Sequence, residues 1–398
     1  MHLRKIIIFS IIFLLGAGSI SIPFKAVRIG ILSRYRLNKI EVIAKDARLF
    51  FSNVSIQIVK EKISITRAKD KLIIKVSNRR YTERAVRIST GRYLTINFWN
   101  NKEHAKRFYS GTLDIKAGLK SLTIINTVPL EEYVHSAAIA ELGSLLHAKN
   151  KKVKSKKWKQ ELLASMEVAI RSYIFRNHNR HGKRDYQFCD LTHCVHFPGI
   201  SFSRLKNKTG GRVLIDNDGK FLSAYFHSTC GGVLTGPEVY WPGHDYIKYF
   251  RRGPDKILPH GKHRCSDSPH YKWKYFISMN NLRKILKRRY FKKFNTFSKQ
   301  GRLSYLMYYD RNNEVNRISA SKFISRAGRI LGWSAVKSNY FVIEKVKGGY
   351  LFRGNGLGHG IGLCQWGAYK MSLEGKGHGD ILRFYYNNAK IIECDNIN

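Results

Sequence analysis

The stretch SLTIINTVPLEEYVHSAAIAELG, residues 121–143, changes its hydrophobic pattern halfway and so gives the first indication of the fold. Its first part is rich in Ile and Thr, which is typical of a β-strand. Pro129 then suits the first turn of a helix, and two glutamates follow it near the positive end of the helix dipole. We expect this helix to end at Gly143. A strand that passes directly into a helix predicts a fold that combines both.

The predicted helix carries one carboxylate on its apolar face. Five residues have the i, i+4, i+7, i+8 and i+11 spacing of a single helical face: Leu130, Val134, Ala137, Ala138 and Glu141. Such a face is buried, and burial disfavours an ionised carboxylate. The pKa of Glu141 should therefore rise, which would let it act as a general acid near neutral pH. A buried ion pair between Glu141 and Arg171 explains the same residue equally well.

The rest of the chain supports an α+β fold. Runs rich in Val, Ile and Thr fill residues 40–126, and another covers residues 26–32. Residues 160–177 have the pattern of a second helix, residues 220–228 that of a strand, and residues 281–294 that of a basic helix. We therefore predict a β-rich core with a few helices.

The chain is strongly basic. It has 398 residues, and 72 Lys and Arg against 27 Asp and Glu give a formal charge of +45. This surplus favours a polyanionic partner such as nucleic acid, acidic phospholipid or an anionic cell-wall polymer. Seven of the lysines lie in residues 149–159, which form either a solvated loop or a docking segment for a polyanion.

The N-terminus narrows this choice. Arg4 and Lys5 precede an apolar run at residues 6–15 and a group of small residues, which is the pattern of a secretory signal. The apolar stretch to Ile22 is also just long enough to span a bilayer. We predict that residues 1–23 are a signal peptide or an N-terminal membrane anchor. The protein is then exported to the cell envelope, and a nucleic-acid partner is not expected.

Cysteine and histidine are concentrated in one short segment. Cys189, His193 and Cys194 are close in sequence, with His181 and His196 on either side. Thiolates and imidazoles together suit a tetrahedral zinc ion. The C-x4-C spacing matches no common zinc finger, so a disulfide, or no bond at all, fits the spacing as well.

A glycine-rich segment near the C-terminus, residues 354–369, has neither the dinucleotide-binding nor the Walker spacing. It predicts a tight turn that carries His359, followed by a helix from about Gln365. Cys364 beside His359 has the composition of a thiol nucleophile with its base, although a buried structural cysteine is the more common case. Upstream, Cys230 and Cys265 could form a disulfide if their Cα atoms are close enough.

Five motifs occur together in a fixed order. They are VPLEEYVHSAAIAELG, ELLASMEVAIRSYIFR, CDLTHCVHFPG, AYFHSTCGGVL with EVYW, and GLGHGIGLCQWGAYKMSLEG with ILRFYYNNAKI. This combination resembles the SpoIID family, which includes stage II sporulation protein D and the LytB amidase enhancers. The resemblance is clear over residues 109–245 and 354–392. It implies one large domain at residues 24–398, with residues 275–345 as a candidate inserted subdomain.

The resemblance also implies a function. The family is similar to lytic transglycosylases that cut peptidoglycan glycan strands stripped of stem peptides, and its catalytic glutamate falls on Glu141. Such an enzyme leaves a 1,6-anhydroMurNAc end and needs one carboxylate, whereas a hydrolase usually needs two. The substrate-binding residues implied by the family are Arg171, Tyr225, His227, Ser228, His359 and Gln365. The implied structural zinc would be held by Cys189, His193, Cys194 and His181, with His196 as the second choice for the last position.

The chain departs from the family pattern at three points. Leu142-Gly143 replaces Met-Pro after the glutamate, and Met166 and Val195 replace two glutamines. These changes leave room for another reading, a glycan-binding enhancer of a cell-wall amidase without catalysis of its own. A third reading is a glycoside hydrolase that uses Glu141 with Glu238 as the second acid.

Overall fold

The computed structural model describes residues 22–52, 54–59, 61–100, 103–148, 155–256, 261–295 and 301–394. Most of the predicted leader and residues 149–154 of the basic segment lie outside the described residues. Within the described residues, no helix combines the length and the apolar character needed to cross a bilayer.

The predicted α+β fold is confirmed. In the described part of the chain the helices are α1 Leu130–His147, α2 Lys157–Arg176, α3 Pro237–Tyr240, α4 Met279–Leu286, α5 Ala320–Leu331, α6 Gln365–Leu373 and α7 His378–Tyr385. The first ten strands are β1 Ala26–Ile31, β2 Lys39–Ala44, β3 Ala47–Phe51, β4 Val54–Ile58, β5 Glu61–Ala68, β6 Lys71–Val76, β7 Arg79–Glu83, β8 Ala85–Asn100, β9 Glu103–Ala117 and β10 Leu122–Pro129. Seven more are β11 Phe188–Cys189, β12 Arg212–Ile215, β13 Phe226–His227, β14 Val233–Leu234, β15 Gly253–Pro254, β16 Lys272–Ser278 and β17 Lys293–Asn295. The last six are β18 Tyr305–Tyr309, β19 Val315–Ser319, β20 Phe341–Val346, β21 Gly349–Asn355, β22 Leu363–Cys364 and β23 Lys390–Glu393.

The N-terminal strands form one large sheet. Its order over the described residues is β11-β1-β10-β9-β8-β2-β5-β6-β7, with β3 paired to β4 and β8. Alternate residues of these strands are buried, as Ile40, Val42 and Ala44 of β2 illustrate. This period-2 alternation places one face of each strand on the core. Strand β10 passes directly into α1, so the sheet fixes where α1 begins.

Helices α1 and α2 pack against each other beside this sheet. Helix α2 also contacts β12, α6 and α7, and it is buried continuously from Leu162 to Phe175. Gly143, where we expected α1 to end, interrupts the helix with a non-helical φ of 28° and ψ of −105°, and a further turn follows to His147. Leu145 and Leu146 are buried beyond the kink, and this apolar packing accounts for the extra turn.

A second hydrophobic cluster lies between Trp273 and Phe352, built on β16–β21 with α4 and α5. The inserted subdomain expected at residues 275–345 stays a prediction. The predicted basic helix at 281–294 is shorter in the structure, because Lys287 adopts a left-handed conformation with φ 55° and ends α4. The strand expected at residues 220–228 is reduced to Phe226–His227.

Candidate active site around Glu141

Glu141 lies on the buried side of α1, as its spacing predicted, and two neutral groups hold its carboxylate. The His196 backbone N–H donates to Oε1 at 2.9 Å, and Gln365 Nε2 donates to Oε2 at 3.3 Å. Burial raises the pKa of the Glu141 carboxyl, and these two hydrogen bonds offset part of the rise. Among the described residues, no Lys, Arg or His side-chain nitrogen comes within 4.0 Å of this carboxylate. The group therefore holds a proton more readily than an ordinary glutamate.

Gln365 reaches Glu141 because two short strands pair behind it. Strands β13 and β22 are parallel, with His227 opposite Cys364, and α6 begins at Gln365. The Trp366 N–H donates to the Ser228 carbonyl at 3.1 Å and fixes the first turn of this helix. Gly362 makes the approach possible, since a Cβ there would lie 2.1 Å from the Tyr225 carbonyl oxygen.

The other glutamates of the two helices differ from Glu141 in that each has a guanidinium, imidazole or hydroxyl partner. The pairs are Glu131 with Arg171, Glu132 with Ser110, Glu161 with His378, and Glu167 with His135. Glu238, the candidate second acid of a hydrolase, is bound by the Arg252 guanidinium at 3.0 and 3.1 Å. Glu141 is thus the carboxylate of α1 and α2 that only an amide N–H and a carboxamide hold.

Arg171 does not pair with Glu141, so the ion pair that was one of our two readings of Glu141 is not formed. Its side chain has no exposed surface, its Nε donates to Glu131 Oε1 at 2.7 Å, and its Nη1 donates to the Arg212 carbonyl at 2.7 Å. Glu131 and Glu141 are ten residues apart on α1, about 15 Å along the helix axis. A guanidinium at one position cannot reach the other, and a fully buried one has no surface to offer a substrate.

An aromatic cavity of about 420 Å³ contains two of the predicted substrate-binding residues, Tyr225 and His359. The Trp241 ring lies beside both, with ring centroids 5.3 Å from Tyr225 and 5.6 Å from His359. Burial and the nearby Arg302 lower the pKa of His359, so its imidazole is neutral. Glu141 does not line this cavity, but Cys194 does, two residues before His196.

His227 and Ser228 were also predicted to bind substrate, but they are not among the residues that line the cavity. His227 is buried, its Nδ1 is 3.1 Å from the Ile361 carbonyl, and its ring centroid is 5.4 Å from that of His359. Burial lowers the pKa of His227 as well. Ser228 is partly buried, and its main contact with the site is the carbonyl that accepts from Trp366.

The four side chains expected to bind zinc lie together. The ligand atoms of His181, Cys189, His193 and Cys194 are all within 4.8 Å of one another. The two sulfur atoms are 3.7 Å apart, and His181 Nε2 is 3.3 Å from Cys194 Sγ. Two sulfurs at about 2.3 Å from a tetrahedral zinc would be about 3.8 Å apart, so this donor set fits the ion. Zinc binding itself stays a prediction.

The other three cysteines considered above form a second group. Cys230 and Cys265 are both free thiols whose sulfur atoms are 3.3 Å apart. Cys364 accepts from the Cys230 N–H and donates to the Ser228 carbonyl. Within the described residues it makes no hydrogen bond to His359, so the structure does not form the nucleophile–base pair that their proximity in sequence suggested.

Sequence reasoning missed several residues of this region. Tyr173, Arg180, Tyr240, Trp241 and His244 all line the aromatic cavity. The EVYW segment was recognised as a family motif, but nothing in its composition indicated that Tyr240 and Trp241 lie beside His359. The amide of His196 left no signal at all, because a backbone N–H is present at every residue except proline.

Part of this chain is similar in sequence to known proteins. Residues 119–215 match the family described as SpoIID, Stage II sporulation protein. An uncharacterized protein of Brachyspira hyodysenteriae is 46% identical over 63 residues, which cover 16% of this chain and 17% of that protein. The amidase enhancer of Bacillus subtilis is 39% identical over 57 residues, 14% of this chain and 8% of the enhancer. Stage II sporulation protein D of Bacillus subtilis is 48% identical over 40 residues, 10% of this chain and 12% of that protein.

The aligned segments therefore span less than a fifth of each relative. The family match, however, includes Glu141, the His196 amide that holds it, and all four residues of the Cys-His cluster. Over residues 119–215, this chain is therefore similar to the SpoIID family.

Proposed function

We propose that this protein is an exported lytic transglycosylase of the cell envelope, which cuts peptidoglycan glycan strands with Glu141 as the catalytic acid and base. The observation that carries the proposal is the carboxylate environment: Glu141 is partly buried, has a raised pKa and is held by two neutral donors. These properties suit a group that must be protonated before the reaction and ionised in the middle of it.

The reaction needs only this one carboxyl. Protonated Glu141 gives its proton to the glycosidic oxygen between MurNAc and GlcNAc as the bond to the anomeric carbon breaks. The 6-hydroxyl oxygen of the same MurNAc attacks that carbon, and the Glu141 carboxylate takes the hydroxyl proton. The products are a GlcNAc end with a free 4-hydroxyl and a 1,6-anhydroMurNAc end, and no water is consumed. The hydrogen bonds from His196 and Gln365 stabilise the carboxylate that exists between the two proton transfers.

The chain's strong positive charge supports an anionic envelope substrate or surface. In the aromatic cavity, the faces of Tyr225 and Trp241 provide apolar surface on which sugar rings can stack. The neutral His359 in the same cavity can hydrogen-bond to a sugar hydroxyl or acetamido group without adding charge. Peptide-stripped strands are the preferred substrate in this proposal.

We also propose that His181, Cys189, His193 and Cys194 hold a structural zinc ion. Zinc with four protein ligands supplies no catalytic position and only fixes the backbone around it. The last ligand precedes His196 by two residues, and the His196 N–H holds Glu141 Oε1. The metal site therefore positions the amide that stabilises the catalytic carboxylate.

A non-catalytic role is the second candidate. One relative carries the name amidase enhancer, and the aromatic cavity could bind glycan for an amidase partner without any cleavage. In that case Glu141 is a partly buried structural acid, and replacing it leaves the stimulation of an amidase unchanged.

One set of digestions separates these readings. The full chain, its Glu141→Gln variant and its Glu238→Gln variant would be incubated with amidase-treated peptidoglycan, and soluble glycan fragments and pelleted protein would be measured. We expect wild type and Glu238→Gln to release fragments, and Glu141→Gln to bind the glycan without releasing any. Fragment release by Glu141→Gln at the wild-type rate would contradict the proposal. Loss of release in a folded Glu238→Gln variant would favour the hydrolase, and amidase stimulation without release by any variant would favour the enhancer.

A further inference from the structure

A second group of metal-binding side chains lies behind Gln365, apart from the Cys-His cluster. Cys230, Asp255, Cys265 and Cys364 are fully buried, and their ligand atoms are all within 4.8 Å of one another. Four separate segments of the chain contribute them. We propose that these four residues bind a second structural zinc ion, with three thiolates and one carboxylate as ligands.

One backbone N–H group of the cluster points at a sulfur atom. The Cys230 N–H donates to Cys364 Sγ at 3.3 Å. Gly231 and Gly232, the next two residues, have positive φ, 68° and 99°, so the chain turns sharply after Cys230. An N–H group that donates to sulfur is compatible with a thiolate there, and the thiolate is the form that binds metal.

The aspartate has an oxygen that lacks a hydrogen bond. Asp255 Oδ2 accepts from the Cys230 thiol at 3.3 Å, whereas Oδ1 is buried and accepts no hydrogen bond from the described residues. The nearest cation, Arg264 Nη1, is 3.5 Å from Oδ1. A buried carboxylate oxygen without a hydrogen bond is costly, and coordination of a metal would satisfy it.

The charges around the group balance when a divalent metal is present. Three thiolates and one carboxylate carry four negative charges, and a bound divalent ion reduces the net charge of the group to −2. Two arginines adjoin the cluster, Arg264 beside Asp255 and Arg302 through its hydrogen bond to the Cys230 carbonyl at 2.6 Å. A buried site whose charges compensate in this way avoids the penalty of uncompensated buried charge.

The donor set selects the metal and argues against a disulfide. Three sulfur ligands exclude the hard ions calcium and magnesium, and a carboxylate is a poor ligand for copper(I), so zinc fits best. A Cys230–Cys265 disulfide would use only two of the four residues. It would leave Cys364 and Asp255 outside the bond, whereas a zinc ion would use all four residues.

The position of the cluster gives the metal a structural task. Cys364 immediately precedes Gln365, the residue that donates to Glu141, and Cys230 lies two residues after Ser228. A zinc ion here would lock β13 and β22 together from behind. The inference concerns metal content and does not depend on the proposed lytic activity.

The test is a count of zinc per chain. The full chain would be expressed with zinc supplied, purified and analysed by elemental mass spectrometry and native mass spectrometry. Cys265→Ser and Asp255→Asn perturb the new site, Cys194→Ser perturbs the Cys-His cluster, and Cys394→Ser is the matched control for loss of a buried cysteine outside both groups. Circular dichroism would establish that each variant is folded.

We expect Cys265→Ser to hold one zinc ion fewer than the wild type and Asp255→Asn to bind that ion more weakly. The zinc content of Cys394→Ser should equal that of the wild type. Cys194→Ser should keep the zinc that Cys265→Ser loses. Cobalt(II) in Cys194→Ser should give thiolate-to-metal charge-transfer absorption, which Cys265→Ser on the same background removes. The proposal is overturned if Cys194→Ser is free of zinc while folded. A Cys230–Cys265 disulfide peptide in a non-reduced digest of the wild type would also overturn it.

Discussion

Replacing Arg171 with methionine distinguishes a structural arginine from a substrate-binding one. Methionine keeps most of the apolar volume of the side chain but removes the donors to Glu131 and to the Arg212 carbonyl. Removing one partner of a buried ion pair usually costs about 3–5 kcal/mol. The Glu131 side chain is 27% exposed and keeps its hydrogen bond from Asn207, so the lower end, about 3 kcal/mol, is the expected loss in unfolding free energy.

The assay is urea unfolding followed by circular dichroism, with glycan binding and cleavage measured in parallel at low temperature. The folded fraction of Arg171→Met should bind and cleave glycan as the wild type does, since Arg171 has no exposed surface. Glu131→Gln on its own and combined with Arg171→Met gives a double-mutant cycle, which should show strong coupling between the two residues. A variant that keeps wild-type stability but loses glycan binding would refute this reasoning.

Three further predictions concern the site itself. Gln365→Leu removes a hydrogen bond that lowers the pKa of Glu141, so the alkaline limb of the pH–rate profile of kcat/KM should move to higher pH. Glu141→Gln should increase the free energy of unfolding at pH 7, because the raised pKa of Glu141 means that its ionisation destabilises the folded state. Below about pH 4 the carboxyl is protonated in both states, so the substitution should not increase it there. Urea unfolding at the two pH values measures this difference. Trp241→Ala should raise KM more than it lowers kcat, as steady-state kinetics on stripped glycan would show, since its ring lines the cavity away from Glu141.

Local patterns predicted the elements that carry the site. Pro129 and the apolar spacing up to Glu141 predicted α1, and it begins at Leu130 as expected. The second helix, expected at residues 160–177, spans Lys157–Arg176. The candidate zinc ligands also lie together, because three of them are separated by only a few residues. In each of these cases the signal and the structure are local in the chain.

Long-range contacts could not be predicted in the same way. An ion pair between Arg171 and Glu141 was one of two open readings, but the register of the two helices places Arg171 opposite Glu131. Long-range contacts, including the pairing of β13 with β22, also bring together the second metal-binding group, Cys230, Asp255, Cys265 and Cys364. The spacing of these four residues in the sequence shows no regularity. The His196 amide, which is central to the properties of Glu141, is a backbone group and leaves no trace in composition.

The most direct test of the central claim is the chemical identity of the new glycan end. Stripped glycan strands would be digested by the full-length wild type in water enriched in oxygen-18, and the fragments weighed by mass spectrometry. Our account predicts 1,6-anhydroMurNAc ends without oxygen-18, and none with Glu141→Gln. Reducing ends that carry oxygen-18, or anhydro ends formed by Glu141→Gln at the wild-type rate, would contradict it.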